Sequence, residues 1–312
     1  MEIDTYDVVV VGGGPAGLQA ALTLGRMHHR ALVLDSGRYR NDPTGHLHNF
    51  LTHDGRPPAE LRALARADLA TYETVTVRPV EAVSITPQAG GFVVDLADGS
   101  HVAASRVLLA TGLRDALPDV PGLAGLFGSV VAHCPYCHGH EFAGTHVAIL
   151  GSGPHVARVA MLVQRIAARI TVLTDGGALD EESAALLGRE GVTLRPDPVL
   201  GVCRSAAGAR VSFASGPDEE VGGIFVTTAL SQSAPFAEQL GLDLLPSGCV
   251  EVDAFGRTSL PGVYAAGDLA HTSAVPMPLA SVLSAAAAGL VAATAVDADR
   301  VLALLGAVPA AG

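Results

Sequence analysis

The feature that most constrains this chain is a strand, glycine loop, helix, strand and acid in fixed order, written twice. Residues 6–11 (Tyr-Asp-Val-Val-Val-Val) are the β-branched run expected of a strand buried on both faces. Gly12-Gly-Gly-Pro-Ala-Gly17 follows, Leu18 to Leu24 reads as a helix, and an apolar strand, Ala31 to Leu34, ends at Asp35, eighteen residues beyond Gly17. In the middle of the chain Val147 to Leu150 leads into Gly151-Ser-Gly-Pro-His-Val156. A helix to about Ala168 and a strand from Ile170 to Thr174 then end at Asp175, nineteen residues after Val156. Two βαβ units in one chain are an internal repeat and predict an α/β protein with two doubly wound Rossmann-like dinucleotide-binding domains.

The 312 residues allow about two domains of ordinary size. Hydrophobic residues make up 49% and charged ones 16%, the reverse of a disordered composition. The balance of 19 basic against 31 acidic side chains leaves a net charge of −12, which repels phosphate backbones and anionic membranes, so neither nucleic acid nor membrane is an expected partner. The acidic opening, Met-Glu-Ile-Asp-Thr-Tyr-Asp, lacks the basic start of a signal peptide, and the expected location is the cytoplasm. Ala274 to Val296 is uncharged and long enough to span a bilayer. It contains Pro276, Pro278, Ser281, Ser284 and Thr294 among weakly apolar alanines, and reads as a buried helix followed by a short helical tail. Residues 75–85 and 91–97 read as strands, as do Val107 to Gly112, Ile224 to Thr228 and Val263 to Ala266; Leu117-Pro-Asp-Val-Pro-Gly122 marks a first domain boundary.

In the first loop Gly12, Gly14 and Gly17 let the backbone approach a pyrophosphate, and the helix beginning near Pro15 and Ala16 offers it unpaired N–H groups. Asp35 stands where a ribose hydroxyl pair is accepted. The second loop departs from this pattern. Its third glycine position is Val156, and the strand before Asp175-Gly-Gly is followed by no arginine, so a 2′-phosphate meets an acid instead of a cation. NADPH is disfavoured there; NADH, or no nicotinamide at all, is left open.

The remaining chemistry is concentrated in His133-Cys-Pro-Tyr-Cys-His-Gly-His140. Cys134, Cys137 and His138 spell the attachment string for c-type haem, but that chemistry requires export. A zinc site would draw on His133, Cys134, Cys137, His138 and His140, yet no second C-x-x-C supplies the usual separated cluster. Cys-Pro-Tyr-Cys also occurs in glutaredoxin-like domains, where it follows the first strand; here about 130 residues precede it. A redox disulfide serving a bound flavin accounts best for a C-x-x-C beside a dinucleotide fold, with the nearby imidazoles tuning or moving thiol protons. Cys203 and Cys249 are isolated in sequence and read as ordinary structural residues.

Taken together these residues resemble the low-molecular-weight thioredoxin reductase family over essentially the whole chain. The matches are the first glycine loop, Ala110-Thr-Gly112, the C-x-x-C just ahead of the second loop, and Thr258-Ser-Leu-Pro-Gly-Val-Tyr-Ala-Ala-Gly267-Asp268. The resemblance implies FAD as cofactor, with Asp268 reaching its ribityl and phosphate part and Val80 contacting adenine through its backbone. It implies a discontinuous FAD-binding domain (1–115 and 233–312), with an inserted nicotinamide-binding-like domain (116–232) carrying the C-x-x-C. The helix after Ala280 would aim its N-terminus at the flavin's pyrimidine edge. A homodimer is the assembly the family favours. Three departures stand out: the arginines that hold NADPH are missing, the acid after the second cysteine is His138, and Ala280-Ser281 stands where an Arg-Gln pair is usual. Loss of nicotinamide determinants with retention of the flavin and cysteine motifs is similar to the FAD-dependent dithiol oxidases that close disulfides in natural products of the gliotoxin and holomycin type.

That resemblance implies a dithiol oxidase: a small-molecule dithiol attacks Cys134, Cys137 faces the flavin, and O2 takes the electrons as H2O2, with His138, or alternatively His133, taking and returning protons. Two alternatives remain at this point, a disulfide reductase fed by NADH or a protein donor and a flavin-binding redox sensor without turnover. A second histidine cluster, His46, His48 and His53, lies in the loop after the first βαβ unit and either lines a substrate pocket or is simply solvated.

Overall fold

The computed structural model describes residues 3–306. The chain begins β1 (Asp4–Val11), α1 (Pro15–Arg26), β2 (Ala31–Leu34), α2 (Pro58–Leu69), β3 (Val75–Arg78), β4 (Ala82–Gln88), β5 (Gly91–Leu96), β6 (His101–Leu109) and β7 (Leu113–Ala116). It continues through β8 (Val131–Ala132), α3 (Pro135–His138), β9 (His146–Leu150), α4 (His155–Val163), β10 (Arg169–Leu173), α5 (Glu181–Arg189) and β11 (Thr193–Arg195). Then come β12 (Val199–Ser205), β13 (Gly208–Phe213), β14 (Glu219–Val221), β15 (Gly223–Val226), β16 (Ala229–Gln232) and α6 (Phe236–Gln239). The last elements are β17 (Val250–Glu251), β18 (Val263–Ala265), β19 (Ala270–His271) and α7 (Val282–Leu304).

Two compact units result. The first comprises Met1–Arg40, Ala59–Arg114 and Leu230–Gly312, the second Asn41–Pro58 and Asp115–Ala229. In the first, β3-β2-β1-β6 run parallel, β18 continues the parallel set on the C-terminal half of β6, and the antiparallel β5-β4 pair extends its N-terminal half. Alternation along β1 divides the core. Val9 and Val11 face Leu32, Leu34, Val107, Leu109 and the β4–β5 side, whereas Val8 and Val10 face the helices α1 and α7. Small residues let those helices meet: a Cβ on Gly289 would lie 2.0 Å from the carbonyl oxygen of Ala16. Farther along α7, Asp299 accepts Arg257 Nε (2.9 Å) and Nη2 (2.7 Å) and the hydroxyl of buried Tyr264 (2.6 Å), tying the helix to β18.

The second unit repeats the plan with a parallel sheet ordered β11-β10-β9-β15-β8 and a small antiparallel sheet β12-β13-β14. Segment 41–58, which the sequence reading leaves inside domain 1–115, groups with this unit. The reason is local packing: a Cβ on Gly128 (φ +83°) would lie 2.4 Å from the Pro43 carbonyl, and His48 pairs with Glu141.

Two element assignments change as well. The strand expected over 75–85 is two strands, β3 parallel to β2 and β4 antiparallel to β5, separated by Pro79, which has no N–H to continue a ladder. The long terminal helix and its tail are one 23-residue helix through Leu304, its buried stripe (Ala285, Gly289, Ala292, Ala293, Val296) set against the first sheet's helical face. It is long and apolar enough to cross a membrane by composition, while part of it serves as core.

Candidate active site

In the first unit β1 ends at Gly12, whose φ of +121° and proximity to strand β6 exclude a side chain: a Cβ there would lie 2.2 Å from the Ala110 carbonyl oxygen. Gly17 is equally closed, 1.9 Å from the Gly12 carbonyl oxygen by the same measure. Gly14 is different. Its Cβ position meets nothing within 4 Å, and it is the N-cap of α1 with no side-chain cap, Pro15 at the first turn and no acid there. The open face and the N–H groups of that turn form a cradle for a pyrophosphate.

The groups around the cradle complete it. Asp35, buried at the end of β2, accepts the Tyr39 hydroxyl (2.7 Å), Arg66 Nη2 (2.5 Å) and the Gly37 N–H (2.9 Å). Burial pushes its pKa up, but these hydrogen bonds prevail and hold the carboxyl below its ordinary range, ionised and able to accept a ribose hydroxyl. Burial and the Asp35 carboxylate raise Tyr39 to about 12, so it stays a donor. Val80 commits its N–H to the Arg78 carbonyl (2.9 Å), which leaves its own carbonyl as the backbone group it can present. Gly112 (φ +70°) and Gly267 (φ +86°) turn the chain after β6 and β18. Asp268 Oδ2 receives Arg40 Nη1 at 2.9 Å, and Ser281 caps α7 by accepting the Ser284 N–H (3.0 Å). These residues fit a flavin dinucleotide. Tyr39, Arg40 and Arg66 lie outside any motif; only the fold reveals them.

In the second unit Cys134 and Cys137 are joined as a disulfide with Cα atoms 5.2 Å apart. Cys134 is the extended N-cap of α3, Pro135 starts the helix, and the Cys137 and His138 N–H groups both donate to the Cys134 carbonyl. Gly139 lets the turn close: a Cβ would lie 2.4 Å from the Pro135 carbonyl oxygen. Tyr136 is exposed, while both cysteines and His138 are half-buried.

Burial and its neighbours Gly128, Glu141 and His48 set the state of His138. Burial lowers its pKa, opposed by a hydrogen bond to the Gly128 carbonyl and by the Glu141 carboxylate, so the ring is neutral at pH 7. Its Nε2 lies 3.4 Å from Thr44 Oγ1 in segment 41–58. That segment also places His48 between Glu141 (3.4 Å) and Asp54 (3.6 Å), with the His46 ring 6.5 Å from that of His48. His53 packs edge-on against Phe50, and His133 stacks on Phe127. The structure thus gathers Cys134, Cys137, His138 and His48 into one neighbourhood, with His53 turned to a local aromatic contact. Among the described residues no three His, Cys, Asp or Glu side chains converge as a metal site.

Comparison with known proteins identifies the family. Residues 6–289 match the family described as pyridine nucleotide-disulphide oxidoreductase. Thioredoxin reductase sirT of Leptosphaeria maculans is 32% identical over 94% of this chain and 93% of its own, and thioredoxin reductase tcpT of Claviceps purpurea 34% identical over 84% and 86%. The crystal structure of HlmI superposes with a TM-score of 0.84 at 31% identity, covering 97% of this chain and 98% of that one. FAD is the cofactor this family carries. The chain therefore belongs to the pyridine nucleotide-disulphide oxidoreductase family, as a flavin-dependent thiol/disulfide oxidoreductase of the thioredoxin reductase type.

Proposed function

We propose that this enzyme is an FAD-dependent dithiol oxidase that closes a disulfide in a small-molecule dithiol. The observation that carries the reading is the neutral, half-buried imidazole of His138 directly after Cys137, held by Gly128 and placed beside Thr44. A neutral base at that point suits the removal of protons from an incoming dithiol.

On this reading the first unit holds FAD through Gly12, Gly14, Pro15, Ala16, Gly17, Asp35, Val80, Ala110, Gly112, Gly267 and Asp268. The second unit is the nicotinamide-binding-like domain and holds the redox pair. One substrate thiolate attacks Cys134 Sγ, forming a mixed disulfide and releasing the Cys137 thiolate. The second substrate thiol, its proton taken by His138, displaces Cys134 and closes the product disulfide. Both protein cysteines are then reduced: the pair holds the two electrons that the substrate has lost, one of its protons sits on His138, and the other left when the attacking thiol ionised. FAD, when bound, would supply the two-electron acceptor for the reduced pair, with O2 as the final acceptor and H2O2 as its product. The same reading takes the enzyme as a cytoplasmic homodimer; the exposed apolar side chains of α7 (Leu283, Leu290, Val291, Val301) are a surface suited to self-association.

The test is an anaerobic titration of the flavin's visible absorption with a small dithiol, with NADH and with NADPH, followed by air. Bleaching by the dithiol alone, with recovery and peroxide on aeration, is the expected result. Rapid bleaching by either nicotinamide would make the protein a reductase.

A further inference from the structure

The second glycine loop keeps the backbone of a phosphate cradle, yet its open face is filled. In register with the first loop, Gly153 corresponds to Gly14 and His155 to Ala16. Where Gly14 meets nothing, a Cβ on Gly153 would lie 2.7 Å from His155 Cε1 and 3.0 Å from its Nδ1. The same ring reaches toward Gly151 (φ +140°), with Nε2 3.8 Å from the Cβ position there. The imidazole, projecting from the first residue of α4, is thus folded back across both glycines. Nε2 is hydrogen-bonded to Thr227 Oγ1, just beyond the end of β15, which pins the ring in place.

The other groups a dinucleotide would use are committed too. Asp175, at φ +50°, turns its carboxylate back to accept the Val199 N–H (2.7 Å). Val156 occupies the third glycine position and is fully buried. A pyrophosphate approaching α4 therefore meets a ring carbon surface where the first loop offers bare backbone.

We propose that His155 is the residue that excludes nicotinamide dinucleotides from the second unit, its ring occupying the place a pyrophosphate takes at such a loop. The inference rests on the oxidase reading for its purpose, because it explains how an enzyme with two dinucleotide folds draws electrons only from a dithiol. Its test needs no turnover. NADH and NADPH are titrated calorimetrically into the oxidised, FAD-loaded wild type and into His155→Ala, His155→Gly and His155→Phe. Flavin absorption and thermal unfolding confirm that each variant is folded.

The wild type and His155→Phe should show no binding up to about 1 mM, while His155→Ala and His155→Gly should bind NADH at least about tenfold more tightly than that limit. Wild-type binding in the low micromolar range would overturn the proposal. So would Ala and Gly variants that bind no better than wild type, which would assign the exclusion to Val156 and Asp175, or a Phe variant that binds as well as Ala. A parallel dithiol-bleaching assay on the same proteins separates the two ideas. Failure there removes the oxidase reading and leaves the binding result intact.

Discussion

Gly14→Ala distinguishes a phosphate cradle from a tight turn, because the protein itself has no use for the space beside Gly14. Its φ is −80° and its Cβ position is clear to 4 Å, so alanine fits without strain; losing glycine at the N-cap costs about 0.5–1 kcal/mol. With FAD bound as proposed, that methyl group would stand between the helix N–H groups and the pyrophosphate. Loss of one charge-assisted hydrogen bond costs about 1.5–3 kcal/mol, or about 10- to 150-fold in FAD dissociation constant. Gly17→Ala is the control, since its Cβ would sit 1.9 Å from the Gly12 carbonyl oxygen and must displace backbone, at about 1–3 kcal/mol of overpacking. The assay is quenching of FAD fluorescence on titration with apoprotein, with thermal unfolding of the same apoproteins. Gly14→Ala should lose affinity with a near-native apoprotein midpoint, and Gly17→Ala should lose both. An alanine at position 14 that binds FAD within twofold of wild type would refute the placement of the pyrophosphate.

Three further outcomes follow from the geometry. Cys134→Ser and Cys137→Ser should each abolish dithiol turnover while the protein remains yellow; turnover surviving in either would end the mixed-disulfide scheme. His138→Gln should lower kcat by about 10²- to 10⁴-fold. The wild-type rate should fall as pH drops through the lowered His138 pKa and the base becomes protonated, and a pH–rate profile of the variant should lack that acid limb. Asp299→Ala removes the acceptor of the buried Tyr264 hydroxyl and takes one carboxylate from Arg257, and should cost about 2–3 kcal/mol in urea unfolding. The Asp299 pKa is raised by burial and more than restored by Arg257 and Tyr264, ending below its ordinary value. Its contribution is therefore complete above the ordinary carboxylate range and disappears as pH falls through the lowered value, so wild type and variant should converge in acid.

The repeat of the two βαβ units was readable because the forces that make it are local. The runs Val8–Val11 and Val147–Leu150 bury both faces, and Gly17 is required by the Gly12 carbonyl a few residues before it, although Gly12 itself is required by Ala110, distant in sequence. Asp35 and the cysteine pair were legible for the same reason. Arg40, Arg66 and Thr44 were not, because each acquires its role from a partner that chain topology brings to it: Arg40 meets Asp268 from 228 residues away. Tyr39 lies four residues past Asp35, outside the motif's fixed positions. The kink at Pro79 carried a local signal in proline's missing N–H, masked by the β-branched residues on either side. The blocked state of the second loop showed only as Val156; that His155 folds over the glycines depends on Thr227, just past β15 and 72 residues away in sequence.

The interleaving of β18 with β6 carries a cost in time when the protein is made. Val107 pairs with Val263, so 156 further residues must be synthesised after Val107 before its partner is complete. At about 5–20 residues per second, β6 waits roughly 8–30 s with one side of its C-terminal half unpaired. All of 115–229 emerges during that interval. The nascent chain must therefore hold an incomplete apolar sheet while the second unit forms, and a slow codon tract or a scarce chaperone in that window should affect the yield of the first unit before it affects the second.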